Sequence, residues 1–248
     1  MPGLDWLMAR PIAHRGLHDA AAGVIENTAS AFAAAIVGNY GIETDLQISA
    51  DGEAMVHHDD ALGRLTEGTR RLADMSAAEI KTVKFKSTTD RIMTLADLCE
   101  LVAGRAPLLL ELKSHFDGDL RIAERTAGVL SGYAGPVAAM SFDPALIEAI
   151  RHRAPALPRG IVAERHYAHH EWDRFSVGAK LRMAFLLHAA RTRPDFVAYS
   201  IKDLPAAAPW IARRLVGLPL LTWTVRTDDD RRRAATCADQ IIFEGLRP

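Results

Sequence analysis

Three short groups of polar residues near the start of the chain could act together on a phosphate ester. They are His14-Arg15-Gly16, Glu26-Asn27-Thr28 and Glu43-Thr44-Asp45. An imidazole can move a proton, a guanidinium can bind two phosphate oxygens, and paired carboxylates can hold a divalent cation. Two later groups, His57-His58-Asp59 and Glu111-Leu112-Lys113, add imidazoles, a carboxylate and an ammonium. Each group alone is a weak signal, but their order along the chain predicts phosphoryl chemistry.

The carboxylates are spaced as a metal site would require. Glu43 and Asp45 lie two residues apart in a strand-like run, so their side chains project from the same face. Burying two unpaired like charges is costly, so a purely structural sheet would avoid this pair. With Glu111 they form an all-oxygen set, which suits Mg²⁺ or Ca²⁺ better than zinc. The alternative is that these carboxylates cap backbone groups and pair with arginines at the rim.

Two cations accompany the carboxylates. Arg15 offers a planar fork to two phosphate oxygens, whereas Lys113 offers a point charge. Both residues could instead form simple ion pairs with neighbouring acids. Ion pairing alone does not explain why both cations lie at strand ends together with histidines, so we interpret them as phosphate ligands.

The elements that must position these groups alternate along the whole chain. Apolar runs followed by amphipathic segments predict parallel strands joined by crossover helices. The strand-like runs cover residues 12–13, 41–48, 54–58, 107–113, 137–141, 160–162, 196–200, 220–225 and 240–243. The helical segments cover residues 28–37, 95–102, 120–130, 144–152, 177–191, 205–215 and 228–237.

The chain has nine strand-like runs, one more than an eight-stranded barrel needs. A turn signal explains the extra run. Asp51-Gly52 separates the second and third runs and favours a hairpin. The remaining runs form an eightfold repeat, and we predict an α/β fold, a closed (β/α)₈ TIM barrel. An open doubly wound sheet is the competing fold.

The chain is predicted to form one domain over residues 1–248, since no linker, repeat or low-complexity tract interrupts it. Residues of about 59–94 do not follow the barrel rhythm and predict a small insertion after the strand hairpin. Within it, Ser76 and Glu79 have the spacing of a capping box, which predicts a short helix.

A barrel would gather the polar groups at one end. The carboxyl ends of its strands line the mouth, where barrel active sites lie. The hairpin would return His57 and His58 beside the carboxylate pair. Adjacent strand residues face opposite sides, so only one of the two can enter the site, and the pattern does not choose between them. Because His14 ends another strand, two histidines would meet there for acid–base work.

Composition excludes several classes of partner. A formal net charge of −1 gives no attraction to nucleic acid or to an anionic bilayer. No run of about 20 apolar residues is available for stable membrane insertion. Residues 1–10 contain Asp5 and lack the apolar run of a signal peptide, and Cys99 and Cys237 form no disulfide framework. We therefore expect a cytoplasmic protein, and we leave a homo-oligomer open.

Taken together, these motifs resemble those of the glycerophosphodiester phosphodiesterase family over nearly the full length of the chain. The resemblance rests on the five groups given above and on the late Trp223-Thr224-Val225. It implies a barrel with a small insertion after the hairpin. It also implies an enzyme that hydrolyses a small-molecule glycerophosphodiester to sn-glycerol 3-phosphate and an alcohol.

The resemblance assigns one divalent cation, Mg²⁺ or Ca²⁺, to Glu43, Asp45 and Glu111. It assigns His14 and His58 as the acid–base pair, because the family's second histidine precedes an aspartate, as His58 does. By the same analogy, the glycerol 2-hydroxyl attacks first and forms a cyclic phosphate that water then opens. His14 would act as base and His58 as acid in the first step.

Further residues receive supporting roles from the same resemblance. Arg15, Lys113 and Trp223 would bind the substrate. Glu26 and Asn27 would support the floor of the site without taking part in the chemistry.

Two positions depart from the family pattern. The family usually closes with a Thr-Asp pair before a final proline, where this chain has Phe243 and Glu244. Many members have asparagine after Trp-Thr-Val, where this chain has Arg226. Neither change removes a residue of the site, but both alter the rim, so the sequence leaves the released alcohol open.

Other functions and one unusual segment stay open from the sequence. A lysophospholipase D acting on lysolipids would need an apolar groove, and a non-catalytic head-group-binding module would bind phosphodiesters without turnover. An aldolase is disfavoured because the carboxylates around Lys113 would keep it protonated. Residues 164–173 contain three histidines, and we expect an aromatic loop over the mouth, in which Tyr167 or Trp172 shapes the pocket, in preference to a second metal site.

Overall fold

The centre of the computed structural model, which describes residues 3–169 and 172–248, is a closed barrel of parallel strands. Neighbouring barrel strands pair in parallel, and β1 (Ile12–Ala13) pairs with both β2 (Gly41–Ile48) and β9 (Gln240–Phe243), which closes the ring. A short strand, β3 (Ala54–Val56), pairs antiparallel with β2 and forms the predicted hairpin. The TIM barrel is therefore confirmed. Its strands are β1 (Ile12–Ala13), β2 (Gly41–Ile48), β3 (Ala54–Val56), β4 (Leu108–Leu112), β5 (Val137–Ser141), β6 (Arg159–Ala163), β7 (Phe196–Ser200), β8 (Leu220–Val225) and β9 (Gln240–Phe243).

The helices surround the barrel, and several of them begin where the sequence carries capping signals. Thr28, Thr94 and Asp143 each accept a hydrogen bond from the first turn of the helix that follows. Across the described ranges, no helix is both long and apolar enough to cross a bilayer. The helices are α1 (Asp5–Met8), α2 (Ala29–Val37), α3 (Ala77–Thr82), α4 (Leu95–Val102), α5 (Arg121–Leu130), α6 (Pro144–Arg153), α7 (Val177–Ala184), α8 (Ala189–Thr192), α9 (Ala207–Ile211) and α10 (Asp228–Cys237).

Two predicted helices are wrong in extent. The segment 177–191 is not one helix, because the chain turns through a left-handed residue at Leu186 (φ 55°) between α7 and α8. This turn buries Leu186 in the core. Because apolar residues lie on every side of the segment, the sequence pattern does not reveal the break. In the segment 205–215, the α-helix begins only with α9. A π-helical turn, Ala212–Val216, follows α9 and is capped by Gly217.

The barrel interior is filled by side chains that alternate with outward-facing ones. Phe196 lies at its centre and is fully buried. Gly160 on the neighbouring strand makes room for it, since a Cβ at that position would overlap the Phe196 ring. From α1, Leu7 packs into the same interior. Burying apolar side chains in this way contributes about 1.5–3 kcal/mol each.

The insertion between β3 and α4 carries its own small core. Leu72, Ile80 and Ile92 pack there against Met55 of β3, so the insertion is attached to the barrel hairpin. The predicted capping box is confirmed, because Ser76 accepts from Glu79 N and the Glu79 carboxylate accepts from Ser76 N. The single-domain boundary over residues 1–248 stays a prediction.

Candidate active site

Three carboxylates meet at the carboxyl ends of the barrel strands. Glu43 and Asp45 project from β2, and the strand register places Asp45 opposite Glu111 of β4. Each residue offers an oxygen, and these oxygens lie within 4.8 Å of one another. Glu43 and Asp45 are each 1% exposed, so the cluster is shielded from water. The predicted carboxylate set is therefore brought together by the fold.

Glu43 shows that the cluster is incompletely neutralised by the protein. Burial and the nearby charges of Asp45 and Glu111 raise the pKa of Glu43 well above its usual range. Its Oε2 accepts a hydrogen bond from Arg15 N at 2.9 Å, but its buried Oε1 has no hydrogen-bond partner among residues 3–169 and 172–248. An orphaned oxygen in an all-oxygen set fits a hard divalent cation.

Asp45 is surrounded by cationic and amide groups. Burial disfavours its charged form, but Lys113 and Arg15 outweigh burial and hold the pKa of Asp45 well below its usual range. Lys113 Nζ lies 2.8 Å from Asp45 Oδ1 and 2.6 Å from Glu111 Oε1. Asn27 Nδ2 donates to Asp45 Oδ2 at 2.9 Å, and Arg15 Nε lies 3.3 Å from the same oxygen.

Arg15 and Asn27 lie on two turns that are hydrogen-bonded to each other. Arg15 and Asn27 both have left-handed backbones (φ 56° each), and Asn27 N donates to Arg15 O at 2.9 Å. Asn27 Oδ1 accepts from Thr44 Oγ1 at 2.7 Å, which ties the second turn to β2. Gly16 must be glycine, because its φ is 81° and a Cβ would lie 2.9 Å from Ala31 Cβ.

Arg64 is a site residue that the sequence did not indicate. It belongs to the insertion. Its Nη2 lies 2.7 Å from Glu26 Oε1, and its Nε lies 2.7 Å from Asp59 Oδ2. Arg15 Nη1 donates to the same Glu26 oxygen at 2.7 Å. Burial opposes ionisation of Glu26, but the hydrogen bond from Arg64 and the charge of Arg15 outweigh it and lower its pKa to about 2. No motif surrounds Arg64, so only the folded insertion reveals its position.

His14 lies between two carboxylates. Its Nδ1 lies 2.8 Å from Glu244 Oε2, within hydrogen-bond distance, and its Nε2 lies 3.9 Å from Glu43 Oε2. The hydrogen bond from His14 and the charge of Arg226 outweigh burial and lower the pKa of Glu244 to about 2. Arg226 Nη2 donates to the same Glu244 oxygen at 2.8 Å. The two departures at the rim are therefore paired with each other.

The folded hairpin separates the two adjacent histidines. Both follow the end of β3 at Val56, so the predicted strand 54–58 is two residues too long. His57 is 2% exposed, and burial lowers its pKa to about 4. The His58 side chain is 32% exposed, and its Nδ1 lies 2.8 Å from Asp59 Oδ1. His58 is thus open to the mouth, whereas His57 is enclosed.

Trp223 of β8 belongs to a cluster of aromatic side chains. The Trp223 ring lies 5.6 Å from Phe142, and its Nε1 donates to Ala198 O at 3.2 Å. Phe142 also contacts Tyr167 and Trp172, which pack edge to face at 5.0 Å. Tyr167 and Trp172 therefore belong to one aromatic cluster with Phe142, and their role in shaping the pocket stays a prediction.

Residues 170 and 171 lie outside the described residues, so the histidine at 170 cannot be placed. Among residues 3–169 and 172–248, the carboxylate trio is the one group that gathers three metal-ligating side chains.

A family model and several relatives match the chain. The model of the glycerophosphoryl diester phosphodiesterase family matches residues 14–243. A glycerophosphodiester phosphodiesterase of Caldanaerobacter subterraneus subsp. tengcongensis is 33% identical over 244 residues, which cover 94% of this chain and 93% of that protein. Glycerophosphodiester phosphodiesterase 1 of Bos taurus is 44% identical over 72 residues, which cover 28% of this chain and 20% of that protein.

Solved structures share the fold. A phosphodiesterase of Oleispira antarctica, in complex with the product sn-glycerol-3-phosphate, superposes with a TM-score of 0.77 at 18% identity, covering 96% of this chain and 94% of that one. A glycerophosphodiester phosphodiesterase of Thermotoga maritima superposes with a TM-score of 0.70 at 22% identity, covering 94% and 92%. At these identities the likeness shows the barrel fold.

Proposed function

Because the chain belongs to the glycerophosphoryl diester phosphodiesterase family of hydrolytic enzymes, we propose that it releases sn-glycerol 3-phosphate and an alcohol with the help of a divalent cation. The family and the enzyme class predicted from the motifs are confirmed, which sets the non-catalytic binding module aside. The observation that carries the finer proposal is the buried carboxylate trio, with its orphaned Glu43 oxygen, beside His14. The product bound to the Oleispira antarctica relative supports the same product here.

The cation would be held by Glu43, Asp45 and Glu111. Their oxygens are close enough to share one ion, and carboxylate oxygens are the ligands that Mg²⁺ and Ca²⁺ prefer. When bound, such an ion withdraws charge from the phosphoryl oxygens as they become more negative. Asn27 would fix the orientation of Asp45, and Glu26 that of Arg15, through the hydrogen bonds they make.

The phosphate would be bound by Arg15 and Lys113, and the alcohol side by Trp223. Asp45 and Glu111 outweigh burial and raise the pKa of Lys113, so its ammonium stays charged and able to pair with a phosphoryl oxygen. The left-handed turn at Arg15 and the ion pair with Glu26 hold the Arg15 guanidinium beside the carboxylate trio. Trp223 is half-buried against Phe142 and presents an apolar wall.

In the first step, the glycerol 2-hydroxyl oxygen forms a bond to phosphorus while the bond from phosphorus to the alcohol oxygen breaks. His14 Nε2 accepts the hydroxyl proton, because Nδ1 is occupied by Glu244. His58 gives a proton from Nε2 to the leaving alcohol, and its Nδ1 is held by Asp59. The products are the alcohol and a cyclic glycerol phosphate.

In the second step, a water oxygen forms a bond to phosphorus while the bond from phosphorus to the glycerol 2-oxygen breaks. His58 accepts the water proton, and His14 returns its proton to the 2-oxygen. Both histidines then recover their starting protonation. The net reaction consumes one water and leaves sn-glycerol 3-phosphate.

The test is release of sn-glycerol 3-phosphate from glycerophosphocholine with Mg²⁺ or Ca²⁺, and again with chelator. Turnover should disappear with chelator and in Glu43→Ala, but remain in Glu124→Ala, which removes an exposed carboxylate on α5. Turnover that survives chelation would contradict the metal-assisted mechanism. Turnover with long-chain lysolipids but not with glycerophosphocholine would favour the lysophospholipase D alternative.

A further inference from the structure

Arg226, Glu244 and His14 form a continuous chain of hydrogen bonds, of which the proposed reaction uses only the contact between Glu244 and His14. Glu244 Oε2 lies 2.8 Å from His14 Nδ1 and accepts a hydrogen bond from Arg226 Nη2 at the same distance. We propose that Arg226 and Glu244 are positioning residues that fix the ring orientation and the tautomer of His14. The kinetic part of this inference rests on the proposed function, in which His14 moves the proton.

The ionised Glu244 carboxylate can only accept hydrogen bonds, so the proton on a neutral His14 must reside on Nδ1. Nε2 then carries the lone pair and faces the carboxylate trio, with Glu43 Oε2 at 3.9 Å. The opposite tautomer would place a hydrogen on Nε2, direct it toward Glu43 and leave no base for the substrate. Glu244 therefore selects the tautomer that can accept a proton.

Arg226 is needed because Glu244 has room to move. Glu244 follows β9 and lines a cavity of about 480 Å³ between residues 16–21 and 243–247. Its side chain is 25% exposed, so it could rotate into that cavity and release His14. The hydrogen bond from Arg226 holds the carboxylate on the His14 side.

The backbone fixes Arg226 itself. Glu244 N donates to Val225 O at 3.0 Å, which joins the ends of β8 and β9. Arg226 N donates to Asp230 Oδ2 at 3.2 Å, at the capped start of α10. Phe243 O accepts from His14 N at 2.9 Å. His14, Arg226 and Glu244 therefore all follow strand ends that are joined by backbone hydrogen bonds.

A matched ion pair provides controls. Arg125 Nη2 lies 2.7 Å from Glu53 Oε2, with side-chain exposures of 41% and 21%, close to the 49% and 25% of Arg226 and Glu244. Glu244→Gln should lower kcat about 10–100-fold with KM unchanged within about threefold. Arg226→Met should lower kcat about 3–10-fold, and Arg226→Lys, which keeps a donor, should recover part of that loss. Glu53→Gln and Arg125→Met should leave both constants unchanged.

A spectroscopic readout separates this inference from the reaction itself. In protein with ¹⁵N-labelled histidine, the His14 signals are assigned by their absence in His14→Gln. Wild type should show the tautomer protonated at Nδ1, and Glu244→Gln and Arg226→Met should show signal from the tautomer protonated at Nε2. This spectrum needs no turnover, so it tests the positioning pair even if no phosphodiester is hydrolysed.

The inference is overturned if wild-type His14 is protonated at Nε2. It is also overturned if the tautomer is the same in wild type and Arg226→Met, or if Arg226→Met raises KM while kcat is unchanged. Should Glu244→Gln fail to fold, as judged by circular dichroism, Arg226→Met decides the question, because it leaves the His14–Glu244 hydrogen bond available.

Discussion

Lys113 Nζ lies 2.8 Å from Asp45 Oδ1, so an ammonium shares the buried space that we propose for a cation and a phosphate. The same ammonium lies 2.6 Å from Glu111 Oε1 and is about one-fifth exposed. It neutralises part of the carboxylate trio, and Glu43 is left with an orphaned oxygen. Because Lys113 and a divalent cation neutralise the same carboxylates, their charges oppose each other in this site.

Lys113→Met should therefore change cation binding and turnover in opposite directions. Loss of the ammonium makes the site more negative, and we expect the Kd for Mg²⁺ or Ca²⁺ to fall about 3–10-fold. Turnover should fall about 100-fold because one phosphate ligand is lost. Isothermal titration and the glycerophosphocholine assay measure the two effects. Lys81→Met, which breaks an exposed pair with Asp97, should change neither, and weaker cation binding in Lys113→Met would contradict the shared-site interpretation.

Glu43→Gln should stabilise the protein without cation but abolish stabilisation by cation. The substitution removes one of three like charges from a buried cluster, so repulsion with Asp45 falls. In wild type, a cation at about 100 times its Kd should stabilise the fold by about 2.7 kcal/mol. Thermal unfolding with chelator measures the stability of the cation-free protein, and thermal unfolding with cation measures the stabilisation that the cation adds. Equal stabilisation of variant and wild type by cation would exclude Glu43 as a ligand.

His57 and His58 should respond differently to alanine. His58→Ala should lower kcat about 10²–10⁴-fold, since it would remove a general acid, and His14→Ala should have a similar effect as loss of the base. His57→Ala should leave kcat within a few fold but reduce the free energy of unfolding, because His57 is 2% exposed. Steady-state kinetics and urea unfolding separate the two outcomes. Near-wild-type kcat in His58→Ala would reject its acid–base role.

The sequence predicted the barrel because its physical signals are local. Alternating strands and helices, the turn at Asp51-Gly52 and the capping box at Ser76 each depend on residues a few positions apart. The break at Leu186 escaped prediction because apolar residues surround it on all sides, so the helical period does not change there.

The site was predictable only where several of its groups occur in motifs. The carboxylates are close in sequence or on neighbouring strands, and the fold brings them together. Arg64 and the pair of Arg226 with Glu244 escaped prediction because distant contacts bring them to the site: Arg64 and Glu26 are 38 residues apart, and His14 and Glu244 are 230 residues apart. A cytoplasmic location and a homo-oligomer stay predictions, since neither follows from one chain.

Stability should fall between about pH 6.5 and pH 4 in part because of His188. Burial, with Arg191 nearby, lowers its pKa to about 4, and within the described part of the chain its buried Nδ1 has no hydrogen-bond partner. As pH falls below about 6.5, the unfolded chain binds a proton at His188 and the folded protein does not. Acidification therefore favours the unfolded state. We expect this residue to cost on the order of 1 kcal/mol at pH 5 relative to pH 7.5.

His188→Leu should remove that contribution, because leucine binds no proton. The measurement is the free energy of unfolding by urea at both pH values. The loss on acidification should be smaller in His188→Leu than in wild type by on the order of 1 kcal/mol. His166→Leu is the control, since the His166 side chain is 60% exposed and lies outside the core. The same pH dependence in wild type and His188→Leu would show that the folded protein accepts a proton at His188 as readily as the unfolded chain does.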